Sequence, residues 1–189
     1  MLERFKVPEK DRVYVAQQRM RAVTEAMFMH NGVSAKDAEI SADVLMKNDL
    51  RGNESHGVSN GMRRYVREYS SKTINPTPEY KLIRESKTTM TVDADGALGT
   101  HIGPWAMQHA IDRAKEFGMA AVAVINSGHL AGCGYYSMMA ADQGMIGHCM
   151  TAGNTLSTVP TFGSRPVMGT NPVSWAAPAR KMPPFLFDV

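Results

Sequence analysis

Apolar side chains recur at helical spacing in the first third of the chain. Residues 11–30 carry them at nearly every third or fourth position, which predicts an amphipathic helix that an Asn-Gly pair then ends. Ser34 stands three residues before Asp37, a spacing like that of a capping box, so we expect a second helix to start there and to continue toward Asp49. A third helix is predicted at residues 58–69.

The pattern changes after the Asn-Pro-Thr-Pro segment at residues 75–78, which is typical of a linker. Short apolar runs now alternate with helical patterns at residues 102–117 and 134–143. The run at residues 119–125 is continuous, as in a strand that is buried on both faces. Further strands are predicted at residues 88–92, 145–150, 173–177 and 185–189.

This alternation favours the α/β (or α+β) class. We expect a helical part at residues 1–75 and the first part of an α/β domain at residues 76–189. The glycine fingerprint of the doubly wound dinucleotide-binding fold does not follow any predicted strand, because Tyr135-Tyr136-Ser137 stands where the third glycine should come after Gly132 and Gly134. The pattern alone does not assign a more specific fold.

Composition narrows the functional classes. The chain has 189 residues, of which 43% are hydrophobic and 21% charged, so disorder, collagen and disulfide scaffolds are excluded. A net charge of +3 is too small to attract the phosphate backbone of a nucleic acid strongly, so we expect no nucleic-acid partner. The two cysteines form no zinc or disulfide pattern, and no apolar run is long enough to cross a bilayer. We therefore expect a cytoplasmic protein without a membrane partner.

Three turns combine glycines with polar side chains that can do chemistry, at residues 51–57, 126–132 and 169–172. His56 in the first turn is suited to acid/base work, or it fills a helix junction. His129 in the second follows a predicted strand, where sheets hold ligands, or it is a surface histidine. The third turn suits an anion but is more typical of a plain turn. Histidines and carboxylates do not occur at metal-ligand intervals, so no metal site is expected.

Taken in order, these segments resemble the malate/L-lactate dehydrogenase family of the second type, the NAD(P)H-dependent 2-ketoacid reductases that are unrelated to the Rossmann-type enzymes. The matching segments include Asp49-Leu50-Arg51-Gly52, Ser55-His56-Gly57-Val58, Asn126-Ser127-Gly128-His129, Gly169-Thr170-Asn171-Pro172 and Phe187-Asp188. The resemblance runs over nearly the whole chain. It implies a non-Rossmann fold with a largely antiparallel mixed sheet and helical flanks, in an enzyme that forms a homodimer.

The family reaction implied is hydride transfer between NAD or NADP and a small 2-oxo acid or (S)-2-hydroxy acid such as malate or lactate. The resemblance makes His56 the first choice for the catalytic acid/base and keeps His129 as a second base or a binding residue. It also implies a catalytic role for Asp188, since an aspartate near an imidazole raises its pKa.

The resemblance implies binding residues as well. Many members have an arginine four residues after the catalytic histidine, where this chain has Asn60, and Arg63 or Arg64 stands about one helical turn later. The substrate-binding residues implied are Ser55, Asn60, Arg64 and Asn171. The cofactor-binding residues implied are Gly153, Asn154, Phe187, Asp188 and Val189.

Two alternatives stay open at this point. Within the family, the substrate is instead a cyclic imine acid or a ureido acid. In another class, the chain is a non-catalytic binding or oligomerising fragment, because it ends one residue after Asp188, inside a predicted strand. Set against the family it resembles little more than half an enzyme, and we expect about 150 further residues in the reading frame.

Overall fold

The computed structural model describes residues 7–153 and 156–189, so the predicted cofactor residue Asn154 lies outside the described residues. The helices are α1 (Gln17–His30), α2 (Ala35–Leu50), α3 (Val58–Ser70), α4 (Gly99–Phe117) and α5 (Gly134–Ala141). The strands are β1 (Lys81–Glu85), β2 (Thr89–Asp93), β3 (Ala121–Ile125), β4 (Gly147–Met150), β5 (Val173–Ala177) and β6 (Phe185–Asp188). Among the described helices, none is both long and apolar enough to cross a membrane.

The ends of the first two helices follow from local chemistry. Helix α2 starts as predicted, since the Ser34 hydroxyl accepts a hydrogen bond from the backbone N–H of Asp37 at 3.1 Å. Helix α1 begins at Gln17 rather than near residue 11. The prediction of an earlier start was wrong because the apolar residues before Gln17 do not pack on the core; Val13, for example, is 85% exposed.

The core joins both halves of the chain. Phe28, Leu45 and Tyr65 from the first three helices are fully buried in one apolar cluster with Leu98 and Tyr136 from the second half. This packing lays the α2–α3 connection beside the loop between β3 and α5. The proposed division at residues 75/76 stays a prediction.

Two small sheets flank the helices. The first has the order β1-β2-β3, antiparallel between β1 and β2 and parallel between β2 and β3. The second has the order β4-β5-β6 and is antiparallel throughout. The chain therefore has the expected mixed α/β fold with largely antiparallel pairing.

Strands β1 and β3 differ from the sequence prediction because both are more exposed to solvent than the pattern indicates. Strand β1 is exposed along its whole length and has no apolar face, so the sequence pattern gave no sign of it. Strand β3 was expected to be buried, but it lies at a sheet edge and its residues alternate in exposure, with Ile125 48% exposed. The prediction of a buried strand was wrong because a continuous apolar run does not reveal which face is covered.

Candidate active site

A close approach of two chain segments builds the turn that carries His56. The Asp49 carboxylate at the end of α2 accepts a hydrogen bond from the backbone N–H of Val58 at 2.9 Å, in the first turn of α3. A Cβ atom at Gly57 would overlap this carboxylate, so only glycine fits there. The chain between them forms a 3₁₀ turn, Glu54–His56. These contacts hold the His56 backbone against α2.

The His56 ring is held through its Nδ1 atom by hydrogen-bond acceptors. Nδ1 lies 2.9 Å from the Ser55 hydroxyl oxygen and 3.3 Å from Asn53 Oδ1, and the Ser55 hydroxyl itself donates to Asn53 Oδ1 at 3.0 Å. Because an amide oxygen only accepts, the proton of the neutral ring resides on Nδ1. The lone pair is then on Nε2, the atom that acts as a general base.

His129 lies in the loop after β3 and is held by donors instead. Its Nδ1 lies 2.8 Å from the Tyr65 hydroxyl and accepts the backbone N–H of Ala131 at 3.3 Å. Since a backbone N–H only donates, Nδ1 carries the lone pair and Nε2 carries the proton. The neutral His129 ring is therefore a hydrogen-bond donor at Nε2.

The electrostatic surroundings keep His129 neutral. Burial, followed by the positive charges of Arg64 and His56, lowers the pKa of His129 to about 4. The sequence led us to expect that Asp188 would raise a histidine pKa, and for His129 the shift is in the opposite direction. The physical reason is that the His129 ring is partly buried and lies near the Arg64 guanidinium, whereas the Asp188 carboxylate contacts Gly134.

The two rings meet face to face. His56 and His129 stack with their centroids 5.7 Å apart and their planes inclined by 20°. The fold thus brings together the two histidines that the sequence placed in separate turns. The pair offers a lone pair on one ring and an N–H on the other, which suits a group that loses a proton from oxygen while that oxygen accepts a hydrogen bond.

The predicted substrate residues divide between this pair and other parts of the fold. Ser55 contacts His56, and the Arg64 charge acts on His129 while its Nε donates to Glu68 at 2.7 Å. Asn60 serves the turn, since its Nδ2 donates to the Ser55 carbonyl at 2.6 Å. Asn171 lies on another loop, where its Oδ1 accepts the backbone N–H of Gly153 at 3.1 Å.

The acidic residue of β6 contacts a helix start rather than a histidine ring. The Asp188 carboxylate accepts the backbone N–H of Gly134, the first residue of α5, at 2.8 Å. Helix α5 begins a few residues after His129, so Asp188 helps to fix where the His129 loop ends. A Cβ atom at Gly134 would come within 2.6 Å of Asp188 Oδ2, which shows how close the strand and the helix lie.

Strand β6 lies at the edge of the second sheet. It is the last strand of its sheet, and Val189 exchanges both backbone hydrogen bonds with Val173, at 2.8 and 3.1 Å. In an antiparallel pair such residues alternate with ones whose N–H and C=O point away, so the Asp188 backbone faces the free edge. Asp188 thus presents one backbone donor and one backbone acceptor on the side of β6 away from β5. The Phe187 ring, 45% exposed, adds a flat apolar surface.

Sequence reasoning missed three residues of this site, namely Tyr65, Asn53 and Asn48, whose Oδ1 accepts a hydrogen bond from Asn53 Nδ2 at 3.3 Å. A signal existed for Tyr65, because it lies on the apolar face of α3 and a buried tyrosine hydroxyl needs a partner. Asn53 and Asn48 gave no such signal, since asparagine is common in turns and at helix ends. Across residues 7–153 and 156–189, no three His, Cys, Asp or Glu side chains gather in a way that could hold a metal ion.

Comparison with known sequences assigns the family. The profile described as malate/L-lactate dehydrogenase matches residues 15–189. The chain belongs to this family. The family resemblance inferred from the ordered turns is thereby confirmed, and the turns with His56 and His129 both lie inside the matched region.

Individual relatives agree with this assignment. The chain is 40% identical to a malate dehydrogenase of Pyrococcus horikoshii, over 96% of this chain and 49% of that protein. It is 39% identical to an L-sulfolactate dehydrogenase of Methanocaldococcus jannaschii, over 79% of this chain and 43% of the relative. The solved structure of malate dehydrogenase from Pyrococcus horikoshii OT3 superposes with a TM-score of 0.91 at 39% identity, covering 100% of this chain and 53% of that one. The chain thus spans about half the length of the dehydrogenases that it matches.

Proposed function

We propose that the protein is an NAD(P)-dependent oxidoreductase that interconverts a 2-oxo acid and an (S)-2-hydroxy acid such as malate or lactate. The observation that carries the proposal is the stacked pair of His56 and His129, with a lone pair on one ring and a proton on the other. Malate and sulfolactate, in the names of two relatives, are both 2-hydroxy acids, which supports this substrate class.

The two rings divide the proton chemistry. In the oxidation direction, His56 Nε2 takes the proton of the substrate hydroxyl while the hydrogen on C2 leaves as hydride, and in reduction the protonated ring returns it. His129 Nε2–H donates a hydrogen bond to the same oxygen and stabilises the charge that develops there. When bound, the nicotinamide accepts or supplies the hydride. This division supports His56 as the acid/base and His129 as a binding residue.

The substrate carboxylate pairs with Arg64 in this proposal. Its guanidinium acts on His129, and it stands one helical turn beyond Asn60, where many members of the family have their arginine. Ser55 orients His56, and Asn60 holds the turn. Asn171, whose Oδ1 accepts the Gly153 N–H, lies near the substrate carboxylate in this proposal.

The cofactor, NAD or NADP, is proposed to lie along β6. The free backbone edge at Asp188 and the exposed Phe187 ring support this position. Gly153, Asn154 and Val189 complete the proposed set, with Asp188 acting on the chemistry through the Gly134 end of the His129 loop.

We also propose a cytoplasmic homodimer. Large apolar side chains lie exposed on the second sheet; they include Trp175 at 44% and Phe185 at 60%. Such a surface is typical of one that a partner or further chain covers. Sedimentation of the intact protein tests the dimer, and a monomer at micromolar concentration would contradict it.

The reaction is tested by incubating the intact protein with NADH or NADPH and oxaloacetate, pyruvate, sulfopyruvate and a cyclic imine acid. Loss of the reduced-nicotinamide absorbance with one or more straight-chain 2-oxo acids is the expected result. A faster rate with the cyclic imine acid, or oxidation of a ureido acid in the reverse direction, would show that the substrate belongs to that class rather than to the 2-oxo acids. Absence of turnover with every acid and both cofactors would favour a non-catalytic binding or oligomerising role.

A further inference from the structure

A chain of side-chain amides runs from helix α2 to the ring of His56. Asn48 Nδ2 donates to the backbone carbonyl of Val44 at 2.9 Å, and Asn53 Nδ2 donates to Asn48 Oδ1 at 3.3 Å. Asn53 Oδ1 in turn accepts from Ser55 and lies 3.3 Å from His56 Nδ1. Three of these links form one continuous path from α2 to His56, with Ser55 as a branch at Asn53, and we call this network the amide relay.

The order of donors and acceptors in the relay is fixed, because the Val44 carbonyl at its start can only accept a hydrogen bond. The Val44 carbonyl only accepts, so Asn48 must present its NH₂ group to it and its oxygen to Asn53. Asn53 must then present its own NH₂ group to Asn48 and its oxygen to the turn. Since Asn48 is 5% exposed, water has little access with which to reverse this order.

We propose that Asn53, held by Asn48, is a positioning residue that keeps the proton of His56 on Nδ1 and so leaves the Nε2 lone pair for the substrate. The tautomer itself follows from hydrogen bonding alone, whereas its value for turnover rests on the proposed function. Asn53 contacts neither substrate nor cofactor in this proposal and acts only through His56.

Ser55 cannot fix the tautomer by itself. A hydroxyl group both donates and accepts, so it is compatible with a proton on either ring nitrogen. Because Asn53 Oδ1 accepts the Ser55 hydroxyl proton, the Ser55 oxygen is left to accept from His56 Nδ1. Without Asn53, the hydroxyl is free to donate to Nδ1, and the ring proton moves to Nε2.

The loop that carries His129 covers the relay. A Cβ atom at Gly132 would overlap Asn48 Oδ1 and would lie 3.1 Å from Asn53 Nδ2. The backbone at Gly132 therefore packs directly on the two amides. This contact links the orientation of His56 to the loop of the second histidine, and it explains why no side chain is present at position 132.

The test is a tautomer measurement on the intact, ¹⁵N-labelled protein. Long-range ¹H–¹⁵N spectra of the imidazoles, recorded where both rings are neutral, distinguish Nδ1–H from Nε2–H. We expect His56 to be Nδ1–H in the wild type and to change to Nε2–H in Asn53→Ala. Glu54→Gln, in the same 3₁₀ turn, is the matched control and should leave the tautomer and the turnover unchanged.

Two further variants separate a positioning role from loss of structure. Asn53→Asp keeps an acceptor beside Nδ1, so it should restore the Nδ1–H tautomer. Ser55→Ala should also keep Nδ1–H, because Asn53 Oδ1 remains. The His129 signal, Nε2–H throughout, reports that the fold is intact.

The kinetic readout of Asn53→Ala is a fall in kcat of about 10- to 100-fold with little change in KM, since an imidazole with the wrong tautomer cannot accept the substrate proton at Nε2. A His56 that stays Nδ1–H in Asn53→Ala, with His129 unchanged, would overturn the relay. If the tautomer changes but the wild type turns over no 2-oxo acid, the relay stands and the proposed function fails.

Discussion

The turn that carries His56 and the loop that carries His129 each hold a histidine ring, but they do so with opposite hydrogen-bond partners. In the turn, acceptors surround Nδ1, whereas in the loop, donors surround the same atom. The rings stack, yet one exposes a lone pair at Nε2 and the other exposes a proton there. The difference shows that the neighbours of a histidine, rather than its motif alone, decide whether it acts as a base or as a donor.

The two regions also differ in what surrounds the ring. His129 packs against the aromatic ring of Tyr65, with Arg64 close enough to disfavour a second positive charge. His56 lies in a polar turn with Asn53, Glu54 and Ser55. A base that changes its charge during turnover is better placed in the polar turn, and a neutral donor is better placed where burial and the Arg64 charge disfavour a second positive charge.

The largest effect is expected when the base is removed. His56→Ala should lower kcat by about 10²- to 10⁴-fold, because proton transfer then falls to water, and should leave the cofactor Kd unchanged. Steady-state rates and fluorescence titration of reduced nicotinamide measure the two quantities. Ser59→Ala, at an exposed position in α3, is the control. If turnover survives in His56→Ala and is lost in His129→Ala, the roles of the two rings are reversed.

Removal of the Arg64 guanidinium should change both the binding of the substrate acid and the pKa of His129. Arg64→Met should raise the KM of the acid by about 10- to 100-fold, as expected for a lost charged hydrogen bond. It should also raise the pKa of His129, since the Arg64 charge is one cause of its low value. Arg67→Met, on the same helix, should do neither. An unchanged KM would remove Arg64 from the substrate site.

The contact between the two regions is tested at Gly132. Gly132→Ala places a Cβ on the Asn48 amide and should lower the free energy of unfolding by about 1–3 kcal/mol. Chemical denaturation measures this change. Gly153→Ala is the matched control, because its nearest neighbouring atoms would be 3.9 Å from the new Cβ. Equal stability of the two variants would show that the loop does not press on the relay.

The smallest expected effect concerns the pH dependence of the free energy of unfolding. The pKa of His129 is about 4 in the folded protein and 6.5 in an unfolded chain, so the unfolded chain alone binds a proton between these values. Stability is therefore lost as the pH falls from 6.5 toward 4, with no contribution above 6.5. Buried His101, whose pKa is also about 4, acts in the same way. His129→Gln should lower proton uptake on unfolding at pH 5 by nearly one proton, whereas Lys72→Gln should not change it.

Local patterns were sufficient for much of the fold. The spacing of apolar residues located α2 and α3, and the Ser34 cap and the turn with His56 could be predicted from a few adjacent residues. The same reasoning could not find β1, because an exposed strand carries no apolar alternation. It misplaced the start of α1 for a similar reason, since apolar side chains there have no core to pack against.

The site was harder to predict because its contacts cross the core. The stacking of His56 on His129 depends on how α3 packs against the loop after β3, and no local pattern encodes that packing. The Tyr65 hydroxyl finds its partner in the same way. Asn53 stands at a position where the resemblance specifies no residue type, so its role was visible only once its hydrogen bonds were known.

The central claim, that two stacked histidines carry their protons on opposite nitrogens, is tested most directly by the imidazole ¹⁵N spectrum of the unmodified protein near neutral pH. The predicted result is Nδ1–H for His56 and Nε2–H for His129, each assigned by comparison with its alanine variant. Two rings with the same tautomer, or a positively charged His129 at pH 7, would contradict the claim.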